Sequence, residues 1–148
     1  MSFNRQGFMV TVEIVIGNPA DSKLYSGTLK KYNQKMKVAP PYSITDQGYR
    51  SKANFKAAEH IDTAYFGKSC DVPVEKQKFC KSARSANEGF IAVAKNLRGF
   101  KRSLYRGIEG DKIWAALCQT AYNLRKFLLL YYDEKFKEKT LVKLGLLI

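Results

Sequence analysis

The chain reads as an α/β protein on three grounds. Short runs rich in β-branched and aromatic residues occur at residues 8–16, 42–45 and 61–66. The first two are each followed by helix-type sequence. Beyond residue 74 two long segments repeat their apolar residues every three or four positions. Strand, helix, strand, helix, strand and then long helices requires at least one parallel crossover.

Each element has its own local signal. Phe8 to Ile16 (FMVTVEIVI) is expected as one strand, ended by Gly17-Asn18-Pro19. Asn18 is suited to cap a helix and Pro19 to open it. That helix is expected from Pro19 to about Lys37, with Leu24, Leu29, Tyr32 and Met36 on its apolar side, and Pro40-Pro41 breaks it. Tyr42 to Thr45 forms a short strand that delivers Asp46 to a turn at Gly48. Ser51 caps a second helix running to about Glu59. Ile61 to Phe66 is the next strand, and Gly67 to Pro73 a loop. A basic helix spans about Val74 to Arg98, with Phe79, Ala83, Ala86, Phe90, Val93 and Leu97 as its expected core stripe. A connector, Phe100 to Arg106, lies between Gly99 and Gly107. Asp111 is expected to cap a last helix, about 112–133, buried along Ile113, Leu117, Ala121, Leu124 and Leu128. Residues 134–148 alternate charged and apolar side chains. The whole reads as one domain, with a core over about 8–107, a C-terminal helix over about 111–133 and a tail.

Composition narrows the partners. The 148 residues are 45% hydrophobic and 13% aromatic, which suits a packed globule rather than a disordered chain. The net charge is +13, enough to attract nucleic acid phosphates regardless of base sequence. The longest apolar run, Phe127 to Tyr132, is far too short to span a bilayer, and no signal peptide is visible. Cys70, Cys80 and Cys118 form no CxxC pair and read as reduced thiols of a cytoplasmic protein. Zinc is disfavoured, because His60 is the only histidine.

The positive residues from Lys76 to Gly107 are Lys76, Lys78, Lys81, Arg84, Lys95, Arg98, Lys101, Arg102 and Arg106, and the one acid among them after Lys76 is Glu88. At about 100° per residue, Arg84, Glu88 and Lys95 share one face of the basic helix, flanked by Lys81 and Arg98. A cationic face with one acid suits a polyanion and a divalent metal ion. Asp46 is the second informative acid, because sites in open α/β sheets gather beyond the carboxyl ends of strands. Both acids also have ordinary readings. Asp46 could bond its own turn, and Glu88 could pair with Arg84 one turn away. Phosphoryl transfer with two Mg²⁺ ions needs both kinds of group together: carboxylates around the reacting phosphate and cations on its neighbours.

Lys81-x2-Arg84-x3-Glu88-x6-Lys95 resembles the Y-x2-R-x3-E-x6-K signature of bacterial insertion-sequence transposases with a DDE catalytic core; Lys81 stands where that signature has Tyr. Gly17-Asn18-Pro19-Ala20-Asp21 is similar to the GNPxD turn of these enzymes, and Asp46-Gln47-Gly48-Tyr49 to their D-x-GY. Arg106-Gly107-x2-Gly110-Asp111 and Ala121-Tyr122-Asn123-Leu124-Arg125 resemble their C-terminal RG-x2-GD and YNLR blocks. The resemblance covers roughly Val12 to Leu129. It implies a truncated RNase H-like mixed sheet flanked by helices, with long C-terminal helices. It also implies DNA transposition: metal-dependent phosphodiester hydrolysis and strand transfer at transposon ends. Asp46 and Glu88 would be the second and third catalytic acids and would hold Mg²⁺ or Mn²⁺. Lys81, Arg84, Lys95, Arg98, Lys101, Arg102 and Arg106 are the expected DNA contacts. The implied location is the bacterial cytoplasm, at the nucleoid.

One departure matters. The family's first catalytic Asp precedes the GNPxD turn, and no Asp occurs here before Asp21. Glu13 is the sole acid in the first expected strand and is not a convincing substitute. The chain therefore reads as the C-terminal portion of a transposase, with metal held weakly and neither nicking nor joining expected from it alone. A non-enzymatic DNA-binding module with the same ancestry is the alternative, and a basic RNA- or ribosome-associated protein is a third class without an RNP-type or KH-type motif to support it. An unpaired edge on the Phe8–Ile16 strand would favour a homo-oligomer.

Overall fold

The computed structural model describes residues 1–17 and 19–132. The expected Asn18 cap and the 134–148 tail lie outside the described residues. The architecture is mixed α/β, with two small sheets and long helices. Its elements are β1 (Ser2–Phe3), β2 (Met9–Thr11), α1 (Asp21–Met36), β3 (Tyr42–Thr45), α2 (Lys52–Ala57), β4 (Thr63–Phe66), α3 (Val74–Leu97) and α4 (Gly107–Tyr132). Short 3-10 turns follow β3 (Gln47–Tyr49) and β4 (Ser69–Asp71).

The crossover required by the element order is present. β3 and β4 run parallel, from Tyr42 beside Thr63 to Thr45 beside Phe66, with α2 between them in the chain. Ser51 caps α2 as expected, its side chain accepting from Asn54 N–H at 3.1 Å. Asn54 is buried, and its amide donates to the carbonyls of Ser22 and Tyr49, so α2 is pinned to α1 and to the turn after β3. The core beneath these elements is Tyr25, Leu29, Ala58, Ile61 and Phe66. Phe66 has no exposed surface and meets Tyr25 and Phe55 edge-on, at 5.1 and 4.7 Å between ring centres.

The first strand is shorter than its sequence suggests. Only Met9–Thr11 pairs, antiparallel to Ser2–Phe3. The backbone of β2 is engaged by α4. Asn123 Oδ1 accepts Met9 N–H at 2.8 Å, Asn123 Nδ2 donates to Met9 O at 2.9 Å, and Gln119 Nε2 donates to the carbonyls of Met9 and Val10 at 2.9 and 3.0 Å. Lys35 Nζ adds a bond to Val10 O at 3.1 Å. The open edge expected on this strand is therefore occupied by side chains of the same chain. Tyr122 donates its hydroxyl to Gly7 O at 3.1 Å and packs with Met9 and Ala94 in a second core cluster.

Both long helices turn a different face inward than their spacing suggests. In α3 the buried residues are Cys80 and Ala94, with half-buried Arg84, Asn87 and Ile91 between them. At 100° per residue this line is rotated by about 100° from the expected stripe, of which Phe79, Ala86, Val93 and Leu97 are exposed. In α4 the buried line is Ala115, Cys118 and Tyr122, whereas Ile113, Leu117, Ala121, Leu124 and Leu128 are all exposed. Residues 113–124 carry no charge, so charge does not choose a side; Gln119 and Asn123 bond β2, Tyr122 packs on Met9, and Trp114 and Cys118 meet the Gly99 turn, which turns that side inward. The helix also starts at Gly107, so Asp111 lies inside it rather than at its cap.

Candidate functional site

The parallel strands β3 and β4 end side by side, and their exits build one end of the site. Asp46 follows β3 in extended conformation, and its carbonyl accepts Tyr49 N–H at 3.1 Å. Its side chain makes no capping bond to that turn, so the ordinary turn reading does not describe this carboxylate. β4 leaves through Gly67 at φ +81°, where a Cβ would lie 2.6 Å from Gln47 N. Only glycine lets the two strand exits approach this closely. Asp21, the last residue of the Gly17–Asp21 motif, lies against the turn that carries Asp46: a Cβ on Gly48 would lie 2.8 Å from Asp21 Oδ2, a side-chain end that can move aside.

The other side of the site is α3. Arg84 reaches both acids: its Nη1 is 3.2 Å from Asp46 Oδ1 and its Nη2 is 3.2 Å from Glu88 Oε1. Two acids far apart in sequence, one at a strand tip and one on a helix, therefore share a single guanidinium. Arg84 is 38% exposed, Asp46 62% and Glu88 56%. Exposed pairs of this kind contribute about 0–1 kcal/mol each, so the arrangement is readily rearranged by a ligand. A cleft of about 340 Å³ opens beside them, between Gly67 and Ser69 on one side and Lys81, Arg84, Ser85 and Glu88 on the other.

Asp71 fixes the Gly67–Ser69 wall. Its carboxylate is 1% exposed, accepts the N–H groups of Phe66 and Lys68 at 3.0 and 3.2 Å, and pairs with Arg50 Nε at 3.2 Å. This buried acid is an anchor, and nothing in its sequence context distinguishes it from a loop aspartate. Tyr49, behind Asp46, has its phenol pushed above the usual range, first by burial and then by the negative charges of Asp21 and Asp46.

The remaining sequence-predicted cations lie further along α3. Lys95 and Arg98 sit beyond Glu88, with Arg98 about 21 Å along the helix axis from Arg84. Lys95 is close to the chain's amino terminus, whose ammonium is pushed down chiefly by burial, with Lys95 adding repulsion and Glu13 opposing it. Arg98 donates to Leu97 O at 2.7 Å. Lys101, Arg102 and Arg106 are exposed on the connector between α3 and α4. The structure thus groups Lys81 and Arg84 with the two acids, and leaves Lys95, Arg98, Lys101, Arg102 and Arg106 as a separate basic stretch at the other end of the helix. Glu13 pairs with Lys31 of α1. Trp114 is a packing residue, its Nε1 donating to Gly99 O at 2.9 Å.

The donor set has clear limits. Among the described residues, no cluster of three or more His, Cys, Asp or Glu side chains that could hold a metal ion is formed. Two carboxylates fit Mg²⁺ in the manner of phosphoryl-transfer sites, where the protein supplies one or two and substrate phosphates and water supply the rest. Among the described residues no helix is long and apolar enough to cross a membrane. No protein-family model, curated protein or solved structure matches the chain.

Proposed function

We propose that this chain is a DNA-binding domain descended from a DDE-type transposase core, with an RNase H-like fold, and that it does not cut or join DNA by itself. The observation that supports this most is the shared guanidinium: Arg84 holds Asp46 and Glu88 at 3.2 Å each, at the exit of a parallel strand pair. The parallel β3–β4 pair joined by α2, with the Glu88 helix beside it, supports part of the mixed sheet flanked by helices that the resemblance implies, whereas β1 and β2 form a separate sheet instead of joining it. The chain's charge of +13 supports DNA as the partner. Lys81 and Arg84 would hold phosphates near the acids, and Lys95, Arg98, Lys101, Arg102 and Arg106 would hold the duplex further along.

Asp46 and Glu88 would be the protein's ligands for Mg²⁺ or Mn²⁺. Such an ion, once bound, neutralises charge on a phosphate and lowers the pKa of coordinated water. Two carboxylates without a third hold it weakly. Arg84 already offsets one of their two charges, and this favours the second reading, a DNA-binding module in which both acids are inherited but idle.

Fluorescence anisotropy on duplex DNA and plasmid nicking with Mn²⁺ test the proposal together. DNA binding that falls steeply with salt is expected, with no nicking. Asp46→Asn and Glu88→Gln should each tighten DNA binding slightly, because each removes a negative charge from a phosphate-binding face. Absence of binding at low salt would end the DNA reading. Nicking lost in Glu88→Gln would overturn the claim of inactivity while keeping the ancestry.

A further inference from the structure

We propose that the outward face of α4 is the surface through which two copies of this chain associate. Ile113, Leu117, Thr120, Leu124, Phe127 and Tyr131 recur at intervals of four, three, four, three and four. This is the spacing that lets one helix lie along another with side chains interlocked. The stripe lies about 180° around the helix from the buried Ala115–Cys118–Tyr122 line, at 100° per residue. Its five large members are each 50–56% exposed, and Leu128 beside them is exposed as well. The one polar member, Thr120, donates its hydroxyl to Ala116 O at 2.9 Å within the helix, so it can present its methyl group outward.

Area and charge both favour a second copy as the occupant. The stripe is about 27 Å long. Six half-exposed side chains of this size offer roughly 100 Å² each, so two copies would bury about 1,200 Å², the lower end of the range for a stable interface. A chain of net charge +13 resists self-association almost everywhere, but residues 113–124 carry no charged side chain. Two copies meeting there bring no cations together at the centre of the contact. A polyanion has no reason to choose this face, since α3 and the 101–106 connector hold the cations. The contact would be isologous, the same stripe on each copy, about a two-fold axis.

Light scattering on the full chain, without DNA, tests this. At roughly 100 µM chain, where a micromolar dimer is saturated, the mass should be twice that of one chain. The double variant Leu117→Glu with Leu124→Glu should weaken association about 100-fold or more and return a monomer. Neither leucine belongs to a buried cluster, so far-UV circular dichroism should not change, and neither should the melting temperature when both proteins are compared at a dilution where the wild type is monomeric. The pair Ile113→Glu with Phe127→Glu should do the same through different residues. A monomeric wild type overturns the proposal. If that monomer is also destabilised by the double variant, the stripe is covered within its own chain. A wild-type dimer untouched by either pair places the interface elsewhere and likewise overturns it.

Discussion

Asn123→Leu isolates the clamp that joins the two ends of the chain. Asn123 accepts Met9 N–H at 2.8 Å and donates to Met9 O at 2.9 Å, as a neighbouring strand would. Met9 is 1% exposed, so the variant leaves its N–H without this acceptor in a dry place, at a cost of about 1–3 kcal/mol. Met9 O still has Gln119 Nε2 at 2.9 Å, so the second lost bond costs only a net of about 1 kcal/mol. Leucine shares the branched outline of asparagine and is the larger of the two, so no cavity is left behind. The expected loss is therefore about 2–4 kcal/mol. With a urea slope of about 1–3 kcal/mol/M, the midpoint should fall by roughly 1–2 M.

Amide exchange makes that test specific. The Met9 amide should lose protection in Asn123→Leu, while the β3–β4 amides follow only the global loss. Gln119→Ala removes the bonds to Met9 O and Val10 O, and the double variant should lose more than the sum, because either side chain alone still serves the carbonyl that they share. A loss under about 0.5 kcal/mol with Met9 protection unchanged would refute the clamp, since an isolated surface substitution behaves that way.

Three further outcomes follow from the same structure. Gly67→Ala should cost about 2 kcal/mol or more in thermal melts, from a backbone clash at 2.6 Å added to a positive φ, whereas Gly17→Ala, with open space around it, should cost about 1 kcal/mol or less; equal effects would remove the close-approach argument. Replacing Lys101, Arg102 and Arg106 with alanine should reduce the log–log salt slope of DNA binding by up to about 3, and an unchanged slope would take the connector out of the interface. Burial pushes the Cys80 and Cys118 thiols above their ordinary 9.0, so the unfolded chain releases these protons first and stability is full below that value and falls as pH rises past it; Cys118→Ala should lessen the decline, and melts that rise steadily from pH 8 to 10.5 in both proteins would contradict this.

What the sequence reveals here is mostly local. Ser51 before a helical run, β-branched residues at 42–45 and glycine after Asp46 each carry their own chemistry, and each produces the expected element. The pairing of Ser2–Phe3 with β2 is invisible beforehand, because two residues have no period. The faces of α3 and α4 fail for a physical reason. A hydrophobic stripe marks burial only when the opposite side is polar, and residues 113–124 of α4 carry no charge on either side. Hydrogen bonding then decides which side packs: Gln119 and Asn123 bond β2, Tyr122 bonds Gly7 O, and Cys118 and Trp114 meet Gly99 on the same side. The Tyr122-Asn123 pair shows a further limit, since nothing in a short polar motif announces that it will bond Gly7 and Met9 more than a hundred residues away.

The pairing of Asp46 with Glu88 was legible because it rests on two local rules that meet in space. Strand ends gather sites, and one helical turn brings Arg84 beside Glu88. What the sequence could not give is that Arg84 would turn to both acids at once. That single geometry changes the chemistry expected of the site. Two bare carboxylates at a basic surface would repel a phosphate and invite a divalent ion. Two carboxylates sharing a guanidinium retain about one negative charge between them, with Lys81 lining the same cleft. A phosphate approaching that cleft meets cations from α3 before it meets an unshielded acid. A divalent ion would have to displace that guanidinium, which exposed pairs of this kind hold only weakly. On the proposed function, the balance between DNA binding and metal binding at this end of α3 would therefore be set by where one arginine side chain points.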